Sequence, residues 1–143
     1  MSNTEITAVA EPENGLVRRS TFECKTLDDV LKLTNALNET ISVESIMDGE
    51  VDEPKTFVLS DIVIEPTEVV SDQTGEVTIE PRTVFIRKDG TAISTISRTI
   101  YRSVALFVDN ARGKDWRNKI KVTIIEGKSR SKRRYFNVKL SAA

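Results

Sequence analysis

Apolar residues along this chain follow two periods. From Thr26 they recur at helical spacing as Leu27, Val30, Leu31 and Leu37, with Thr34 between. Thr26 can cap that helix, Asp28 and Asp29 suit the positive end of its dipole, and Asn38 ends it. Ile41 to Ile46 then alternates like a short strand. Beyond Pro54 the alternation strengthens. Thr56 to Glu65 is rich in β-branched and aromatic residues and is closed by Pro66. Asp72 to Gly75 supply turn chemistry, and in a second, bent strand from Glu76 to Arg87 Pro81 marks an edge or a bulge. Lys88-Asp89-Gly90 predicts a tight turn into a third strand, Thr91 to Ile96. Ser97 caps a helix whose stripe is Ile100, Val104, Phe107 and Val108, ending near Arg112-Gly113. Two more strands, Asn118 to Glu126 and Tyr135 to Leu140, flank the segment Gly127 to Arg134.

From residue 56 the order is therefore strand, strand, strand, helix, strand, strand. That is the order of an OB-fold, a five-stranded, partly open barrel with a helix between its third and fourth strands. The expected chain is mainly β with helices. A mobile acidic arm occupies residues 1–20, a helix and short strand form an N-terminal extension over 21–55, and the OB-like domain fills 56–143. The length of 143 residues suits one compact domain with tails.

Composition narrows the chemistry. The chain has no histidine and a single cysteine, Cys24, so zinc sites, Ser-His-Asp triads, Cys-His pairs and internal disulfides are excluded. With no glycine-rich phosphate loop either, the expectation is a binder that needs no cofactor, not an enzyme. No apolar run reaches the ~18 residues of a membrane helix, and Met1 to Glu5 lacks the marks of a signal peptide; the expected location is the cytoplasm. The net charge of −1 hides an asymmetry: residues 1–81 hold 5 Lys+Arg against 18 Asp+Glu, and residues 82–143 hold 16 against 4. Such a basic half predicts a polyanionic partner.

The candidate contacts follow from where that charge falls. Lys128, Arg130, Lys132, Arg133 and Arg134 crowd the segment between the last two strands, a loop that OB-folds use on oligonucleotides. Along the fourth strand Lys119, Lys121 and Thr123 alternate away from the apolar set, and Tyr135, Asn137 and Lys139 do so along the fifth. A base could stack on Tyr135 while the lysines hold phosphates; the plainer reading is a solvated sheet face. On the second strand Phe85 and Arg87 share a face, with Phe85 either a second platform or core. Trp116, the only tryptophan, is either a stacking residue or a lid on the barrel.

From Thr56 to Leu140 the sequence resembles the small single-stranded DNA-binding proteins of bacteriophages of Gram-positive hosts. The resemblance rests on Glu80-Pro81-Arg82-Thr83-Val84, on Asp89-Gly90 followed by Ala92 to Ser97, on the amphipathic helix, on Trp116, and on the last two strands. It implies an OB-like barrel that coats single-stranded DNA in replication or recombination, with little sequence preference and no cofactor, in the host cytoplasm. Unlike the better-known bacterial single-strand binders, the sequence ends Leu140 to Ala143 without an acidic tail, a departure that bears on recruitment of replication enzymes through such a tail; replication or recombination proteins and a second copy of the chain stay open as partners. Two alternatives stay open: an RNA-binding OB protein, and a module that self-associates through its acidic and basic surfaces.

Overall fold

A computed structural model describes residues 18–143. The acidic arm expected over 1–20 lies outside the described residues as far as residue 17, and the boundary needs correction at its other end. Arg19–Ser20 form β1, antiparallel to Val63 and Ile64. Thr26 caps α1 (Leu27–Asn38): its hydroxyl accepts from the Asp29 amide and the Asp29 carboxylate accepts from the Thr26 amide, both at 3.2 Å.

The strand expected over Ile41 to Ile46 stops after β2 (Thr40–Ser42). Ser42 Oγ accepts from the Ser45 amide at 3.0 Å and starts a one-turn helix, α2 (Val43–Met47). Val43 and Ile46 stand three apart, so a helical turn sends both into the core where a strand would have split them. There follow β3 (Thr56–Val70), β4 (Val77–Arg87), β5 (Ala92–Thr95), α3 (Arg98–Asn110), β6 (Ile120–Lys128) and β7 (Arg134–Ala142).

The strands form one sheet in the order β2-β5-β4-β3-β6-β7, antiparallel except for the β2–β5 pair. β6 and β1 share one edge of β3, β6 along Thr56–Leu59 and β1 at Val63–Ile64. The sheet curls around a core of Phe57, Leu59, Ile62, Phe85, Ile93, Val122 and Ile124, which α3 fills with Ile100 and Val104 and α2 with Val43 and Ile46. On its other side Val63, Val84, Ile86 and Ala92 are covered by Ala36, Leu33 and Leu37 of α1. Both sides of the central parts of β3 and β4 are thus dry, which accounts for the unbroken runs Ile62-Val63-Ile64 and Val84-Phe85-Ile86.

Two sequence expectations about proline change here. Pro66 does not end β3, and Pro81 marks no bulge: the two stand opposite one another. The Ser71 amide donates to the Glu76 carbonyl at 2.9 Å, and counting pairs back from that bond makes Pro66–Pro81 a pair that exchanges no hydrogen bond. Neither proline therefore lacks a needed donor, and each blocks its outer edge just where β1 and β5 stop. Beyond them the β3–β4 ribbon runs on as a two-stranded arm.

The register shift lies instead between Leu59 and Asp61. It points the fully buried Asp61 carboxylate at three separate segments. Arg117 reaches it at 2.6 Å, Lys32 of α1 at 2.6 Å and Thr21 at 2.9 Å, and Ser60 adds a bond at 2.9 Å. Burial alone would raise the Asp61 pKa, but the bonds from Arg117 and Lys32 outweigh it and hold the carboxyl below its ordinary value of 3.8. A depressed folded pKa adds stability that is complete above about pH 4 and fades as pH falls through the folded value. Asp61→Asn is expected to cost about 3 kcal/mol near neutral pH. Thermal melts at about pH 7 and pH 3 should show the gap between wild type and variant closing in acid; a gap that is independent of pH would refute the assignment.

Candidate nucleic-acid interface

Folding spends part of the charge asymmetry internally. Of the sixteen cations after residue 81, six meet carboxylates: Arg82 with Glu65, Arg87 with Glu53, Arg98 with Glu80, Arg117 with Asp61, Lys119 with Asp115, and Arg134 with both Asp48 and Glu126. The other ten have no acidic partner among the described residues. Six of these, Lys121, Lys128, Arg130, Lys132, Arg133 and Lys139, lie on the β6–β7 hairpin.

That hairpin is longer in strand and shorter in loop than its sequence suggests. β6 continues through Gly127 and Lys128, so the loop is only Ser129 to Arg133. Ser129 knits it: its amide donates to the Arg133 carbonyl at 2.9 Å, its carbonyl accepts from the Lys132 amide at 2.8 Å, and its hydroxyl accepts from the Arg133 amide at 3.2 Å. Lys132 takes a left-handed conformation, φ 62. The turn is closed by its own hydrogen bonds while Arg130, Lys132 and Arg133 stand exposed on it.

Directly opposed residues of an antiparallel pair share a face. The register places Lys121, Thr123, Ile125 and Gly127 of β6 on one face with Ser141, Lys139, Asn137 and Tyr135 of β7. The reverse face carries Val122, Ile124, Val138 and Leu140 into the core. On the free face the Tyr135 ring lies across Gly127: a Cβ added to the glycine would stand 2.5 Å from the ring and its hydroxyl. Only glycine lets the phenol lie flat there, and Tyr135 remains 42% exposed beside Ile125 at 44%. This outer face holds cations, a ring and a branched apolar side chain, and no carboxylate. Glu126, the one acid of β6, points to the other side and is held by Arg134 at 2.9 Å.

Several expected contacts do not belong to this surface. Phe85 is completely buried and packs edge-on against Phe57 with ring centroids 5.7 Å apart, so it is core and meets no base. Arg87 is buried too, giving Nη1 to Glu53 and Nε to Thr91 Oγ1, each at 2.7 Å. Both corrections have one cause, since a sheet covered on two sides leaves β4 no wet face. Arg134 is pinned between Asp48 at 2.6 Å and Glu126, with its guanidinium 4.6 Å from the Phe136 ring. Those carboxylates raise its pKa, Asp48 most, and neutralise its charge. Lys119 precedes β6 and binds Asp115 at 2.7 Å. Asn137 sits on the face, but its Oδ1 accepts from Ser103 and from the Val138 amide, each at 2.8 Å. Trp116 stands away from the hairpin tip, partly buried edge-on against Phe107 at 5.1 Å.

Sequence reasoning overlooked Gly127 and Ile125, reading the first as loop. A lone glycine inside a β-branched strand was the available signal, because it marks a place where something approaches closely.

No curated protein and no solved structure matches the chain. A family model described as phage single-stranded DNA-binding protein, however, matches residues 13–141, nearly the whole chain and all of the surface just built. The chain belongs to the phage single-stranded DNA-binding protein family.

Proposed function

We infer that this protein is a non-catalytic, largely sequence-independent binder of single-stranded DNA in phage replication or recombination, acting in the host cytoplasm. The observation that supports the reading best is the β6–β7 face: unpaired cations around an exposed ring, with every nearby carboxylate turned away or neutralised. The five strands β3 to β7, with α3 between the third and fourth, follow OB order, and the reading takes them as an OB-type half-barrel whose β5 edge is occupied by β2. In this reading Lys121, Lys128, Arg130, Lys132, Arg133 and Lys139 hold phosphates and Tyr135 stacks a base.

Titration with oligo-dT, with matched duplex and with matched RNA is the direct test. Tight, salt-sensitive binding to the single strand with little affinity for duplex is expected; equal affinity for duplex, or silence from all three, would overturn the reading. Lys132→Ala with Arg133→Ala should weaken binding for all sequences alike and reduce the salt slope by about 0.7 for each phosphate that is no longer neutralised. Tyr135→Ala is expected to cost about 1–3 kcal/mol of binding with the salt slope unchanged. Gly127→Ala leaves every charge in place and displaces the ring, so it should shift affinity in the same direction as Tyr135→Ala. Wild-type binding by both ring variants would remove stacking from the account.

A further inference from the structure

Four of the ten unpaired cations lie off the β6–β7 hairpin, and two of these, Arg112 and Lys114, line one cleft. It lies between the β1 segment, the end of α3 and the α3–β6 connection, and its volume is about 580 Å³. Arg18, just before β1, adds a third cation with no acidic partner among the described residues. The other charged groups of its wall are already matched: Arg19 with Asp109 at 2.7 Å, Arg117 with Asp61 at 2.6 Å, and Asp115 with Lys119 at 2.7 Å. What is left over in the lining is the positive charge of Arg18, Arg112 and Lys114 together with the apolar side chains of Trp116, Val108 and Ala111.

A cleft with three spare cations and an indole suits a group that is anionic at one end and flat and apolar at the other. A nucleotide is such a group. β6 ties the cleft to the free face already described, since Arg117 lines the cleft and Lys121 begins the face. Over its nine residues β6 separates the cleft from the basic loop by about 30 Å.

We propose that this cleft seats one nucleotide of the bound strand, with its phosphate against Arg18, Arg112 and Lys114 and its base against Trp116. The inference rests on the single-strand reading and adds to it a second contact at the far end of β6. It gives the bound strand a defined extent, from the Ser129–Arg133 loop to the α3–β6 connection. It also gives Trp116 a role that its partial burial against Phe107 does not by itself supply.

The test uses the full chain and an oligo-dT of about 20 nucleotides, longer than the ~4–16 that an OB-type site covers, beside one of about 4. For the long strand, Arg112→Ala with Lys114→Ala is expected to weaken binding about tenfold, to lower the salt slope by about 1.4, and to abolish quenching of Trp116 fluorescence. Arg112→Lys with Lys114→Arg should keep all three at wild-type values. Lys88→Ala with Arg102→Ala removes the same charge from the two unpaired sites outside both clusters and should change little. If the cleft variant binds as wild type while Lys132→Ala with Arg133→Ala is impaired, the cleft is no part of the site and the single-strand reading survives. An equal loss in the Lys88/Arg102 control would also overturn the proposal, reducing it to an effect of net charge. Absence of binding by the wild-type chain would remove the parent reading and this one together. A short strand that quenches Trp116 as fully as the long one would support the proposal and show the cleft filling first.

Discussion

Asp61 is the point on which the arrangement of segments turns. A carboxylate with no exposed surface is costly unless its partners are well placed, and here an arginine, a lysine and two hydroxyls converge on its two oxygens. Each donor comes from a different part of the chain. Thr21 fixes the segment leading out of β1, Lys32 fixes α1 over the outer side of the sheet, and Arg117 fixes the entry to β6. The irregularity between Leu59 and Asp61 makes this possible, because a regular strand would not present the carboxylate to all three. The N-terminal segment is thus held by polar ties as well as by the apolar contacts of α1. Arg82 repeats the logic at the other end of α1, binding Glu65 at 2.8 Å and donating at 3.0 Å to both the Leu37 carbonyl and Thr40 Oγ1.

These ties also sort the charge. In sequence the acids lie in the first half and the bases in the second, so folding one half against the other brings opposite signs together by default. Where the halves touch, at Asp61–Arg117, Glu65–Arg82, Glu53–Arg87 and Asp48–Arg134, the charge is spent on cohesion. Where the second half folds on itself, in the β6–β7 hairpin, few acids are at hand and the cations stay free. The unpaired positive surface is thus the residue of a pairing process, and it falls where the acids of the first half, Asp48 apart, do not reach.

How much of this the sequence disclosed depended on whether the signal was local. The two long helices follow from stripe and cap, Thr26 with Asp29 in one and Ser97 under Ile100 in the other, and the Asp89-Gly90 turn from its dipeptide. Nonlocal facts were hidden. Alternation along Arg82 to Arg87 gave Phe85 a face, but it could not tell that α1 covers one side of the sheet and α2 with α3 the other. Pro66 looked like a strand end until Pro81 stood opposite it in a pair that needs no donor. Tyr135 was visible as an outward-facing ring, whereas the glycine beneath it could be identified only once register set residue 127 against residue 135. Arg134 looked like its neighbours in the basic run because nothing local reveals Asp48 or Glu126 as its partners.

The chemistry left on the free face bears on the kind of recognition it can support. Reading a base edge requires donors and acceptors that are fixed in place and still unsatisfied. Thr123 shares its hydroxyl bond with Thr56 at 3.0 Å, and the Asn137 carbonyl oxygen already accepts two bonds. Apart from Ser141 and the Asn137 amide nitrogen, what remains is Lys121, Lys139, Ile125 and the Tyr135 ring, groups that attract phosphate or stack on the flat side of any base. In the proposed reading, a face on which cations and a ring outnumber fixed hydrogen-bonding groups would meet a strand through its phosphates and the flat sides of its bases, with little regard to their order.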